Sequence, residues 1–161
     1  MNIVRELLAR QDGAYRAFQC RLIPNLPAET VIGVRTPALR ELAKELVRSG
    51  ETGAFLAALP HRYFEEHQLH AFILSMEKDY GTCIEGLEKF LPHIDNWATC
   101  DQLSPRVFRK HRPELLAHIR GWLGSSHEYT LRFGIGMLME HFLGEHFDPV
   151  YLTWVARLRS D

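Results

Sequence analysis

Thr36-Pro37-Ala38-Leu39-Arg40-Glu41-Leu42-Ala43-Lys44-Glu45-Leu46-Val47-Arg48-Ser49-Gly50 decides the fold class of this chain. Leu39, Leu42, Ala43, Leu46 and Val47 recur at spacings of three and four. That period stacks them on one face of an α-helix and suits no strand. Thr36 reads as the cap, Pro37 as the first helical residue and Gly50 as the stop. On the opposite face Arg40, Lys44 and Arg48 form a basic stripe, which Arg35 extends into the preceding turn.

The same punctuation recurs along the chain. Tyr63 to Met76 is apolar over much of its surface and is expected to be a buried helix. Tyr80 to Leu91 reads as a helix that stops at Pro92, and Pro113 opens another that Gly124 closes. Ser125-Ser126-His127-Glu128 has the spacing of a capping box, Ser125 capping and Glu128 three later, before a helix from Tyr129 to Leu143. Asp148-Pro149 starts a last helix that reaches about Leu158. There is no alternating strand pattern of useful length and no Asn-Gly hairpin signal. Short links between helices make neighbours antiparallel. The expected fold is therefore all-α, with antiparallel helix pairs stacked as a HEAT-like α-solenoid or, given their irregular spacing, packed as an ordinary bundle.

Bulk properties bound the function. With 161 residues the chain is long enough for one domain with its own core. A net charge of -1 argues against a general nucleic-acid coat protein but leaves room for a local basic face. Cys20, Cys83 and Cys100 have no metal-binding spacing and form no even disulfide set. They point to a reducing, cytoplasmic setting. The first eight residues lack a signal-peptide core, and no stretch approaches the ~20 apolar residues of a membrane span. The nine histidines include no H-E-x-x-H order, so neither a metal nor another cofactor is expected.

Two constellations carry candidate chemistry. Asp95-Asn96-Trp97-Ala98-Thr99-Cys100-Asp101 reads as a helix opening capped by Asp95 or Asn96. Trp97 and Asp101 then lie one turn apart on one face. Arg132, in another apolar helix, could supply the counter-charge. The plain reading is a packed tryptophan and an interhelical ion pair. The functional reading is a site for a cationic or sugar-like group, with the indole as contact surface and the carboxylate as stabiliser of developing positive charge. The second constellation is Arg106-Val107-Phe108-Arg109-Lys110-His111-Arg112, four of whose seven residues are permanent cations. It reads either as a solvated face or as a phosphate contact beside a helix start. Spacing alone does not say whether it shares a face with Arg35, Arg40 and Lys44.

Gly33-Val34-Arg35-Thr36-Pro37-Ala38-Leu39-Arg40, Tyr63-Phe64-Glu65-Glu66, Asn96-Trp97-Ala98-Thr99-Cys100-Asp101 and Leu131-Arg132-Phe133-Gly134-Ile135 resemble, in order, the motifs of the AlkD-like DNA alkylation repair family. The resemblance implies a HEAT-like solenoid that holds duplex DNA as a monomer, and a DNA glycosylase that releases N3- or N7-alkylated purines. It assigns charge stabilisation to Asp101, a deoxyribose contact to Trp97 and a phosphate contact to Arg132. Arg35, Arg40, Lys44, Arg106, Arg109 and Lys110 would meet DNA phosphates. Active members carry a tyrosine shortly before the Gly-Val motif, whereas this chain has Pro24-Asn25-Leu26-Pro27 there. That departure keeps open a catalytically silent scaffold that binds nucleic acid or a protein. The resemblance implies one HEAT-like domain over residues 1–161, to which family members generally add further C-terminal repeats.

Overall fold

A computed structural model describes residues 2–158. Among the described residues ten α-helices follow one another: α1 (Ile3–Leu8), α2 (Gly13–Leu22), α3 (Thr36–Ser49), α4 (Gly53–Ala57), α5 (Phe64–Ser75), α6 (Tyr80–Phe90), α7 (Trp97–Gln102), α8 (Arg112–Leu123), α9 (Glu128–His141) and α10 (Pro149–Ala156). Short 3-10 turns link several of them. The described residues form no β-strand, and Gln11 and Val34 make one isolated bridge. The fold is all-α, as the helical period requires.

Alternate helices make a row: α3 packs on α5, α5 on α7 and α7 on α9. α8 lies against α9, and α6 also touches α5. Leu39, Leu42, Ala43 and Leu46 of α3 are buried with Leu69, Phe72 and Ile73 of α5. A second cluster joins Ile84, Leu87 and Phe90 of α6 to Leu115, Ile119 and Trp122 of α8 and to Phe133 and Met137 of α9. Val47, counted on the apolar face of α3 by its spacing, is exposed instead.

α5 is the spine of the row. Its residues from Phe64 to Leu74 are all buried, so it has almost no amphipathic face. That burial includes Glu65, Glu66, His67, Gln68 and His70, and buried polar groups need partners. Glu65, fully inaccessible, accepts the backbone N–H groups of Ile32 at 2.9 Å, Gly33 at 2.6 Å and Val34 at 3.3 Å. Glu66 turns back to the amides of Arg62 and Tyr63 at the start of its own helix. Gln68 donates to Thr99 of α7 at 3.1 Å, and His61 and His70 share a hydrogen bond of 2.8 Å. Gly33 has φ +93°, and a Cβ there would lie 2.4 Å from Arg16 Cβ, so only glycine fits.

Two helix starts differ from the sequence reading. α3 is capped by Arg35, with Thr36 inside the helix, because the turn before it is already fixed by Glu65. α9 is capped by His127, whose Nδ1 accepts the N–H of Thr130. Ser125 serves the turn before it by accepting the N–H of His127. The basic run from Arg106 to Lys110 is a 3-10 turn that buries Val107 and Phe108 and leaves its cations outside.

Candidate functional site

α7 is short, but its start is firmly set. Asn96, buried, caps it by accepting the N–H of Thr99 at 2.8 Å. Thr99 is held on the inner side by Gln68, and the Cys100 thiol points to the carbonyl of Tyr129. With that side fixed, Asp101 faces outward and Trp97, one turn earlier, is 38% exposed. Burial, reinforced by the Asp101 charge, pushes the Cys100 thiol up to about 12. It therefore stays a thiol and is a poor nucleophile.

Asp101 and Arg132 form a bidentate pair. Arg132 Nε donates to Oδ1 and a terminal guanidinium nitrogen to Oδ2, both at 2.7 Å. The side chains are 44% and 50% exposed, so the pair is open to solvent. The carboxylate hydrogen bonds lift Arg132 further above its ordinary range.

Two grooves meet at Asp101. One, of about 480 Å³, is lined by Arg40 and Lys44 of α3, Phe72 and Met76 from the α5 end, and Arg106 and Arg109 of the 3-10 turn. The two cation clusters thus share a face. The Arg40 guanidinium lies 4.2 Å from the centre of the Phe72 ring, and Lys44 pairs with Glu41 at 2.7 Å. The other groove, of about 680 Å³, runs along α9 and is lined by Asp101, Glu128, Arg132, Ile135, Gly136, Met139 and Glu140 among others. Ser104 stands between them, its hydroxyl donating to Glu140 and its N–H to Ser75.

Not every residue singled out by its spacing is gathered here. Trp97 lines neither groove, although it shares α7 with Asp101. Arg35 is turned to Asp12 at 2.8 Å and stacks 5.1 Å over the Tyr15 ring. Lys110 is exposed at the end of its turn and lines neither groove. Spacing did not single out Phe72 or Ser104, and it offers Glu140 only as a helix-end neighbour of His141 and Gly136, like Gly134, only as a glycine for close helix packing. The step of four through Glu128, Arg132, Gly136 and Glu140 was a usable signal for the last two. Gly134 packs against Trp122 and Leu123, as a glycine in a close helix crossing should, whereas a Cβ at Gly136 would meet nothing within 4 Å.

Among the described residues no cluster of His, Cys, Asp and Glu could hold a metal ion, and no helix is long and apolar enough to cross a membrane. Neither a search of curated proteins nor one of solved structures finds a match. A family model described as DNA alkylation repair enzyme does match, over residues 4–161. That span takes in both grooves, the ion pair between them and the helices that position them, and so the chain belongs to the DNA alkylation repair enzyme family.

Proposed function

We propose that this chain is a DNA glycosylase that hydrolyses the N-glycosidic bond of purines carrying a positive charge from alkylation at N3 or N7. The observation that carries the reading is the position of Asp101, a solvent-reachable carboxylate lining a groove with four cationic side chains. Phosphates along Arg40, Lys44, Arg106 and Arg109 would bring a duplex across Asp101. The row α3, α5, α7, α9 would act as the inner wall of a HEAT-like solenoid, working on DNA as a monomer in the cytoplasm.

The chemistry follows from the charge on the substrate. Breaking the bond from the sugar C1′ to the purine nitrogen sends the electron pair into the cationic ring, which leaves as a neutral base. No general acid is needed for that departure. Positive charge passes to C1′ and the ring oxygen, where Asp101 stabilises it, and water adds to C1′. The water proton passes to Asp101 and on to solvent. Arg132 would exchange part of its hold on Asp101 for a phosphate as the strand arrives, and Trp97 would contact the deoxyribose. Water is the only co-reactant. Incubation with duplex DNA containing 7-methylguanine tests the reading: base release above the spontaneous rate is expected, and its absence at saturating protein overturns it.

A second reading is favoured by the closure of Asp101 and Arg132 on each other. In that state the carboxylate is already neutralised, as befits a silent scaffold for nucleic acid. Salt-dependent duplex binding without base release would establish it.

A further inference from the structure

α7 has six residues, too few to hold a helical conformation by themselves, so its pose comes from its anchors. Two of them are apolar. Ala98 packs in a cluster with Ile23 and with Phe64 of α5, and Cys100 belongs to the core cluster of α6, α8 and α9. Apolar contact is non-directional and leaves a short helix free to roll about its axis. Between these two residues stands Thr99, fully buried, whose hydroxyl accepts the side-chain amide of buried Gln68 at 3.1 Å. A hydrogen bond has a direction as well as a length, and this one therefore fixes the roll. Thr99 and Asp101 are two residues apart, about 200° around the helix, so the residue keyed into α5 and the exposed carboxylate stand on nearly opposite sides. A roll of ~10° would carry a carboxylate standing ~6 Å from the axis through about 1 Å. The Asp101–Arg132 pair has no such slack, since both of its hydrogen bonds are 2.7 Å long.

Folding does not require a polar pair at this place. Replacing both partners of a buried neutral hydrogen bond by apolar groups of the same shape is close to neutral for stability, or stabilising. What the apolar pair would lack is direction. We propose that Gln68 is a positioning residue: through Thr99 it sets the roll of α7, and with it the place of Asp101 between Arg132 and the cationic groove. The effect on base release rests on the glycosylase reading. The effect on the Asp101–Arg132 geometry does not.

The test uses the full chain and the Gln68→Met, Thr99→Val double variant, in which both partners become apolar at nearly constant shape. Its urea midpoint is expected to be no lower than that of the native chain. Its KM for duplex containing 7-methylguanine should be unmoved, because the cationic side chains stand on α3 and on the 3-10 turn. Its kcat for base release should fall roughly tenfold or more, as expected for a reacting group misplaced by about 1 Å. Thr99→Ser, which keeps the hydroxyl, should recover most of the rate lost in Thr99→Val. A second readout is independent of activity: the NMR resonance of the Arg132 Nε–H, which Asp101 holds, should shift toward that of an unpaired arginine in the double variant. An undiminished kcat, or an unmoved Arg132 resonance, overturns the proposal. A loss of rate that only follows a loss of stability assigns the pair to packing and overturns it too. If the native chain releases no base, the glycosylase reading falls and the Arg132 resonance alone decides the positioning role.

Discussion

Asp101 and Arg132 hold each other across the gap between α7 and α9 by two parallel hydrogen bonds of 2.7 Å. Both side chains are about half exposed, so solvent screens the pair and it adds at most ~1 kcal/mol to folding. Its role in catalysis and its role in stability can therefore be separated. Asp101→Asn should lower 7-methylguanine release by about a hundredfold or more. Thermal unfolding of the variant should be nearly unmoved. An undiminished rate removes Asp101 from the chemistry.

The cationic groove should behave as a phosphate track. Each of Arg40→Ala, Arg106→Ala and Arg109→Ala is expected to weaken duplex binding and to reduce the slope of log K against log salt by roughly 0.9. Arg35→Ala should do less, because Arg35 is engaged with Asp12 and Tyr15. Fluorescence anisotropy over a salt series measures both quantities. Equal losses from Arg35 and Arg106 would contradict the groove geometry.

The two glycines of α9 predict opposite signs. At Gly134 an added Cβ would sit 3.1 Å from Trp122 Cβ and 3.4 Å from the Leu123 backbone nitrogen, in a buried helix crossing. Gly134→Ala should destabilise by about 1–3 kcal/mol. At Gly136 the space is open, and Gly136→Ala should stabilise by about 0.5–1 kcal/mol through helix propensity. Urea unfolding of both variants decides.

Buried histidines should make folding acid-sensitive. Desolvation holds His61 at about 4 and His70 at about 3, against 6.5 for a free imidazole. Well above pH 6.5 folded and unfolded chains are both unprotonated at these positions, so they add no pH dependence there. Below it the unfolded chain takes up protons that the folded chain refuses, and stability falls toward about 4 and about 3 respectively. With both sites active the slope reaches at most about 2.7 kcal/mol per pH unit. Urea midpoints should drop as pH is lowered from neutrality to about 5, and His70→Phe should flatten the drop.

Much of the frame was legible because helical period and Gly or Pro punctuation are local. α5, α6, α8 and α10 lie within about two residues of their expected limits. α1, α2 and α4 escaped, since helices of five to ten residues with weak periodicity offer little pattern. Cap positions slipped where a distant partner set them: Arg35 caps α3 because Glu65, some thirty residues on, fixes the turn. The nearness of Asp101 and Arg132 followed from charge pairing. The union of Arg40 and Lys44 with Arg106 and Arg109 did not, because it depends on how α3 and the 3-10 turn flank the end of α5. Nor could the sequence separate the packing use of Gly134 from the open space at Gly136.

The grip of Glu65 on three consecutive amides ties the entry of α3 to a helix far along the chain. Those amides can meet solvent only when α5 swings away, so Ile32, Gly33 and Val34 should exchange hydrogen for deuterium as slowly as the middle of α5 itself. A loop that looks like a connector would then open only with the innermost helix, and proteases should find no early cut there.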